Sequence, residues 1–174
     1  MNTIDDANIQ IVIETLKEKS LNHNRIFVIG NGGSASTASH FVNDLGVGLS
    51  RRGLIQFDIE SLSDNTAVCT ALANDLGYEY IYSKQLENKL KKNDLLIAIS
   101  CSGNSKNILN AVKIAKDRGA TIIGLTGFDG GELLRESDIS LHIPTPNNEY
   151  GLVENIHLII NHMIFTYFLE ESSL

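Results

Sequence analysis

The 174-residue sequence predicts an α/β fold in which helices flank a doubly wound parallel sheet. Three short apolar runs lack any alternation of polar and apolar residues, which is typical of parallel strands buried on both faces. These runs are Arg25–Gly30, 94–99 and 120–125. Segments of helical periodicity alternate with them, and the connections are short. In such a fold, ligands are expected at the carboxyl ends of the strands.

The elements follow one another in one predicted domain, residues 1–174. An amphipathic helix is predicted over about residues 5–21, because Ile9, Val12 and Leu16 recur at helical spacing. The last helix is predicted over about residues 152–169. Between these two helices, the pattern predicts helices at 34–49, 80–91 and 107–118 and weaker strands at 55–59 and 139–143.

Composition restricts the possible partners and location. The formal net charge of -7 argues against a nucleic-acid partner, whose phosphates require a basic surface. Residues 1–10 lack the cationic start and apolar core of a signal peptide, so a cytoplasmic location is expected. Cys69 and Cys101 are too few for a disulfide framework.

The apolar stretch 158–169 is shorter than the roughly 20 residues of a membrane span. We therefore expect a buried helix or an oligomer interface here, and no membrane partner.

Two loops rich in glycine and serine each connect an apolar strand to a helix. They are Gly30-Asn31-Gly32-Gly33-Ser34 and Ser100-Cys101-Ser102-Gly103-Asn104-Ser105. Backbone N–H groups at a helix N-terminus bind phosphate without a lysine, and serine hydroxyls add further donors. Either loop alone is also compatible with an ordinary turn that ends in a serine cap. Together they favour a phosphate site, and a looser third copy at 125–131 is expected along the same sheet edge.

The first loop also matches the dinucleotide fingerprint G-x-G-x-x-G/A over residues 30–35. That fingerprint requires an acidic residue about 20 positions further on, at the end of the second strand. Asp58 and Glu60 come somewhat late for this role, and a serine-rich second loop has no part in dinucleotide binding. The nucleotide interpretation is therefore the weaker one.

Histidines and carboxylates on two predicted helices suggest a metal site or an acid–base pair. His40 and Asp44 are four residues apart after the first loop, so their side chains share a helix face. On the last helix Glu154, His157 and Asn161 share a stripe. His162 lies about two turns beyond Glu154. Two imidazoles and two carboxylates suit zinc or a similar divalent ion, although no local zinc signature is present. A core position is the expected role of His157.

Together, these motifs resemble those of the phosphoheptose isomerases, a family of the sugar isomerase (SIS) domain superfamily. The resemblance extends from the first strand to the last helix, with a shortened N-terminal helical region. Besides the two loops, its most specific elements are His40-Phe41, Asn74-Asp75, Leu125-Thr126-Gly127, and Glu154 with His157 and His162.

The resemblance implies a flavodoxin-like, five-stranded parallel sheet, a homotetramer with sites at subunit interfaces, and a sugar-phosphate substrate. The implied reaction interconverts sedoheptulose 7-phosphate and D-glycero-D-manno-heptose 7-phosphate. One zinc or other divalent ion per site would be bound by His40, Asp44, Glu154 and His162, and the proton transfers would fall to Asp44 and His162. The implied substrate-binding residues are Asn31, Gly32, Gly33, Ser34, Asp44, Asn74, Asp75, Ser100, Cys101, Ser102, Ser105 and Glu154.

Three residues depart from the family pattern. Asp44 stands where the family usually has glutamate, so a base here must come closer to the substrate or act mainly as a metal ligand. Glu154 stands where many members have glutamine, which adds a negative charge beside the ion and a second candidate base. Cys101 replaces a threonine in the second loop. These departures leave the exact sugar open.

Isomerisation requires a base for the proton alpha to the carbonyl, an acid for the carbonyl oxygen, and stabilisation of the enediolate. Asp44 or Glu154 is expected to be the base, and His162 the acid. The alternative is a SIS-domain protein that binds a sugar phosphate or a protein partner without catalysis. Such a binding module has no reason to keep His40, Asp44 and His162 together, so the expected arrangement favours an enzyme.

Overall fold

The computed structural model describes residues 6–171, so Asp5 of the predicted first helix lies outside the described residues. The strands are β1 (Arg25–Gly30), β2 (Asp58–Ser61), β3 (Leu95–Ser100), β4 (Thr121–Phe128) and β5 (Ile139–Pro144). The helices are α1 (Asp6–Leu21), α2 (Gly33–Phe41), α3 (Thr66–Asp75), α4 (Ser83–Lys89), α5 (Lys106–Arg118), α6 (Gly131–Glu136) and α7 (Tyr150–Glu171).

The five strands form one parallel sheet in the order β2-β1-β3-β4-β5. This is the flavodoxin-like order, so the predicted fold class is confirmed, and the strand order reverses between β1 and β3. The pairing continues to the strand ends, where Gly30 lies opposite Ile99 and Ser100 lies opposite Thr126. The carboxyl ends of β1, β3 and β4 therefore meet at one edge of the sheet.

The core lies on both faces of this sheet. On one face, Val28 and Ile97 belong to an apolar cluster that includes side chains of α1, α2 and α7. On the other face, Phe27 and Leu96 pack with side chains of α4 and α5. Every residue of β3 is buried, which explains why the sequence of this strand shows no polar alternation.

The helix that follows the first loop changes its geometry partway along. It is α-helical only to Phe41 and continues as a π-helical segment, Val42–Gly48, where a single helix was predicted over 34–49. Short π-helical turns occur frequently at functional sites, because they change the direction in which side chains point. This segment includes Asp44, one of the predicted site residues.

Helix α7 has two different apolar faces. Buried on one face are Val153, Ile160 and Phe168, whereas Ile159 and Met163 are 43% and 42% exposed. Among the described residues it is the one helix long and apolar enough to cross a membrane by length and composition, a test that the core helix of a soluble protein also passes. The expectation of a buried helix is therefore confirmed for one face only.

Candidate active site

The two predicted phosphate loops lie next to each other at the carboxyl edge of the sheet. Helix α2 starts after the first loop with Gly32 as its N-cap, and α5 starts after the second loop with Ser105 as its N-cap. Gly32 has no side chain, and the side chain of Ser105 accepts no hydrogen bond from α5. No N-cap side chain therefore competes with an anion for the N–H groups at these two helix starts. Gly32 has a φ of 55°, which a glycine adopts without strain.

A small cavity lies between the two loops. Its volume is about 100 Å³, equal to roughly three water molecules, which suits a phosphate group better than a whole sugar. Within it, the Ser100 hydroxyl donates to the Ser105 hydroxyl at 3.3 Å. The structure brings most of the predicted substrate-binding residues to this cavity, which is lined by Asn31, Ser34, Ile99, Ser100, Cys101, Ser102, Ser105, Tyr150 and Glu154.

Glu154 lies against the first loop. A Cβ added to Gly33 would be 2.2 Å from Oε2 of Glu154, so glycine is what allows the carboxylate to come this close. Cys101 is 5% exposed, and its thiol lies 4.0 Å from the Ser34 hydroxyl. Burial, with a smaller contribution from the charge of Glu154, raises the pKa of the Cys101 thiol above its ordinary value. Cys101 is therefore present as the neutral thiol at neutral pH.

A second group of side chains consists of His40, Asp44 and His162, whose possible ligand atoms all lie within 4.8 Å of one another. Nε2 of His40 is 3.4 Å from Oδ2 of Asp44, as the four-residue spacing predicts, and 3.0 Å from Nε2 of His162. Nε2 of His162 is 3.8 Å from the same carboxylate oxygen. Tetrahedral zinc with bonds of about 2.0–2.1 Å places its ligand atoms roughly 3.3 Å apart, so these residues fit such an ion.

Two amides hold the carboxylate of Asp44. Asn161, on the buried face of α7, donates to Oδ2 at 2.8 Å, and Asn43 donates to Oδ1 at 3.0 Å. Asp44 is 6% exposed and Asn161 is fully buried. Oδ1 of Asn161 has no hydrogen-bond partner among the described residues. Hydrogen bonds of this kind orient a carboxylate ligand.

Glu154 is not part of this group of ligand atoms in the described chain, because its carboxylate lies beside Gly33. Its predicted role as a metal ligand therefore stays a prediction.

Asn74 and Asp75 are exposed at the end of α3 and are joined by a side-chain hydrogen bond of 2.8 Å. Tyr78, three residues beyond Asp75, donates to Oδ1 of Asn31 at 2.9 Å and so connects this segment to the first loop.

The third loop supports the second one. The N–H of Gly127 donates to the carbonyl of Cys101, and the N–H of Leu133 donates to the carbonyl of Gly103, both at 2.9 Å. Gly103 has a φ of 64°, and a Cβ there would be 1.9 Å from the carbonyl oxygen of Gly130. The expected third copy therefore lies at the same edge, where it contacts the second loop.

His157 occupies the core, as expected. It is fully buried, and its Nε2 lies 3.3 Å from the carbonyl oxygen of Thr126. Burial lowers the pKa of His157 to about 4, so it is neutral at neutral pH.

Two residues near the cavity were not predicted from the sequence, because neither belongs to a recognisable motif. Tyr150 lines the cavity, and Asn107 contacts Asn31.

The fingerprint of a dinucleotide site is incomplete. Strand β2 ends at Ser61, where that site requires an acidic residue. Asp58 and Glu60 instead form ion pairs with Arg25 at 3.1 and 3.0 Å. The strand order also differs from that of the dinucleotide-binding folds, so the nucleotide interpretation has no support from this geometry.

Comparison with known proteins agrees with this arrangement. The SIS domain family model matches residues 1–127. The phosphoheptose isomerase of Aliarcobacter butzleri is 42% identical over 157 residues, which is 89% of this chain and 78% of that protein. The phosphoheptose isomerase of Helicobacter pylori strain Shi470 is 41% identical over 159 residues, 90% of this chain and 78% of that protein. A solved phosphoheptose isomerase from Neisseria gonorrhoeae superposes with a TM-score of 0.86 at 29% identity, covering 95% of this chain and 86% of its own. The chain therefore belongs to the phosphoheptose isomerase family of SIS-domain proteins.

Proposed function

We propose that this chain interconverts sedoheptulose 7-phosphate and D-glycero-D-manno-heptose 7-phosphate. Family membership makes it an aldose–ketose isomerase. The observation that best supports the proposal is that α7 contributes to both parts of the site. Glu154 lies at the cavity between the loops, and His162 lies beside His40 and Asp44. Eight residues of helix separate Glu154 from His162 by about 12 Å, a length comparable with an extended open-chain heptose phosphate.

The loops are the proposed phosphate site. The backbone N–H groups at the start of α2 and α5, together with the hydroxyls of Ser100, Ser102 and Ser105, offer donors around one small cavity. No lysine or arginine lines this cavity among the described residues, so the partial positive charge of the two helix N-termini is the proposed source of attraction. Binding at one end leaves the carbonyl end of the sugar free to extend toward His162.

Asp44 and Glu154 are the two candidate bases, and His162 is the proposed acid. Asp44 already accepts two amide hydrogen bonds, which orient its carboxylate toward the two histidines. The side chain of Glu154 has no hydrogen bond within residues 6–171, and it lies closer to the phosphate loops. A proton moved between C1 and C2 must be within about 2.6–3.2 Å of its base, so the substrate's position decides between the two.

The residues His40, Asp44 and His162 would bind a divalent ion, for which zinc is the proposed choice. When bound, such an ion polarises the carbonyl oxygen and stabilises negative charge on the enediolate. Asn161 and Asn43 would hold Asp44 in place toward it. Glu154 is proposed as a fourth ligand in the substrate complex, where the carboxylate would have to leave its place beside Gly33.

The assembly is proposed to be a homotetramer in the cytoplasm. The exposed face of α7, with Leu152, Ile159 and Met163 each 42–49% exposed, is the proposed subunit contact, because exposed apolar faces of this kind mark interaction surfaces. Asn74 and Asp75 would then reach a neighbouring site from α3. Sedimentation of the purified chain tests this: a single tetrameric species is expected, and a stable monomer at micromolar concentration would contradict it.

Turnover of sedoheptulose 7-phosphate tests the function. The purified protein with zinc is expected to form an aldose phosphate, and no turnover of any ketose phosphate of five to seven carbons would exclude an isomerase. Asp44→Asn and Glu154→Gln, compared at equal zinc occupancy, identify the base, because the variant that loses its base should lose kcat with little change in phosphate affinity. A non-catalytic binding protein is not favoured, since the relatives named above are isomerases.

A further inference from the structure

Asn107 is a buried amide beside the first loop that none of the predicted roles uses. It occupies the second position of α5, only two residues beyond Ser105, and is 2% exposed. A buried amide must satisfy its donors and acceptors within the protein, because an unpaired one costs free energy. Its partners therefore indicate its function.

Asn107 forms a reciprocal amide pair with Asn31 of the first loop. Nδ2 of Asn107 donates to Oδ1 of Asn31 at 2.8 Å, and Nδ2 of Asn31 donates to Oδ1 of Asn107 at 3.0 Å. Oδ1 of Asn107 also accepts from the backbone N–H of Ile108 at 3.0 Å. The pair thus connects the loop after β1 directly to the first turn of the helix after β3.

The side chain of Asn31 is largely engaged by the protein itself. Besides Asn107, the Tyr78 hydroxyl donates to Oδ1 of Asn31 at 2.9 Å, and the Tyr82 hydroxyl lies 3.3 Å from the same atom. A carbonyl oxygen has two lone pairs, so these contacts fill its capacity. Asn31 is therefore suited to hold the loop in place while the backbone of the loop faces the cavity.

We propose that Asn107 is a positioning residue of the phosphate site, which acts through Asn31 to hold the first loop in register with the start of α5. The inference rests on the proposed function, because it assigns phosphate binding to these two loops. Without the pair, the N–H groups of the two helix starts would no longer converge on one phosphate. Phosphate affinity falls, whereas Asp44 and His162, which lie outside the two loops, are unaffected.

Steady-state kinetics of Asn107→Ala test the proposal. KM for sedoheptulose 7-phosphate is expected to rise about tenfold, with kcat changed by less than about twofold. Gln85→Ala is the control, because Gln85 is also a buried amide, and its hydrogen bonds go to the carbonyls of Leu62 and Ile81 rather than to either of the two phosphate loops. A KM that changes equally in both variants, or a loss in kcat alone, would overturn the proposal.

A double-mutant cycle with Asn31→Ala tests whether Asn107 acts through Asn31. The double variant is expected to have the KM of either single variant, and additive effects would overturn the proposal. Asn107→Ser is the second variant, since serine keeps a small polar side chain at this position but is too short to reach Asn31. It is expected to fold and to raise KM in the same way, and an unchanged KM would overturn the proposal.

Binding of inorganic phosphate separates the two proposals. Its dissociation constant is measured by thermal shift for the natural chain and each variant, without any turnover. If the natural chain does not isomerise sugar phosphates, the proposed function fails, but a weaker phosphate affinity of the Asn107 variants still supports the positioning role. If it does isomerise them and the variants bind phosphate normally, the positioning role alone fails.

Discussion

Replacing Asn161 with leucine is expected to have different effects on two quantities: the stability of the domain and its affinity for zinc at the proposed site. Asn161 is fully buried on α7 and donates to Oδ2 of Asp44 at 2.8 Å, while its own Oδ1 has no partner among the described residues. Leucine has the same number of side-chain heavy atoms as asparagine and the same branch at Cγ, so the substitution removes the amide without leaving a cavity.

The two consequences for stability have opposite signs. The lost hydrogen bond to the carboxylate is worth about 1.5–3 kcal/mol, whereas removal of the unpartnered Oδ1 relieves about 1–3 kcal/mol. The free energy of unfolding of the metal-free chain is therefore expected to change by less than about 2 kcal/mol. Zinc affinity is expected to fall about 10- to 100-fold, because Asp44 loses one of the two amides that orient it.

Urea denaturation and competitive zinc titration against a chromophoric chelator measure the two quantities. Ile164→Leu is the control, since Ile164 is 1% exposed on the same helix and belongs to the apolar core. It should leave zinc affinity unchanged. An Asn161→Leu chain with normal zinc affinity would refute the positioning of Asp44 by Asn161. A stability loss of several kcal/mol would show that the lost hydrogen bond and the removal of the unpartnered Oδ1 do not offset each other.

Two further predictions concern stability. Gly103→Ala is expected to lower the free energy of unfolding by about 3 kcal/mol or more, because its φ of 64° is strained for alanine and its Cβ would meet the carbonyl oxygen of Gly130 at 1.9 Å. Urea denaturation measures the free energy of unfolding. Gly151→Ala is the control, because a Cβ at Gly151 would meet nothing within 4 Å. Equal stability of the two variants would contradict the prediction. Burial lowers the pKa of His157 from 6.5 to about 4, so the unfolded chain binds the proton first and the folded chain loses stability as the pH falls between those values. This loss is about 3 kcal/mol and should be absent from His157→Gln in denaturation at about pH 7 and pH 4; the same pH dependence in both chains would contradict the assignment.

The strands of the sheet centre could be predicted because they are buried on both faces. Strands β1, β3 and β4 therefore read as continuous apolar runs, and their predicted starts lie within one residue of the observed ones. Helix α3 has no fully buried residue, and its apolar residues follow one another without a clear helical period, whereas α6 has only six residues. The edge strand β2 was predicted at 55–59 but lies at Asp58–Ser61. Along this strand one residue is exposed, two are partly buried and the last is buried, so burial does not alternate with a period of two residues.

Sequence spacing predicted which site residues are close together on one helix. It could not predict contacts between residues that are far apart in the sequence. The proximity of His40 and Asp44 follows from their spacing, whereas the proximity of His40 to His162 depends on how α7 packs against α2. Spacing also could not show that Glu154 lies beside Gly33. Asn107 contacts a residue 76 positions away, which no local pattern indicates.

The close contact between the second and third loops has a consequence for the entropy of binding. Two backbone hydrogen bonds of 2.9 Å and the approach of Gly103 to Gly130 hold the serine hydroxyls on a backbone that is already ordered. A flexible loop would lose conformational freedom on closing around an anion, and that loss would weaken its affinity. Here the backbone has little freedom left to lose, which favours the proposed binding of phosphate in a cavity that no lysine or arginine lines among the described residues.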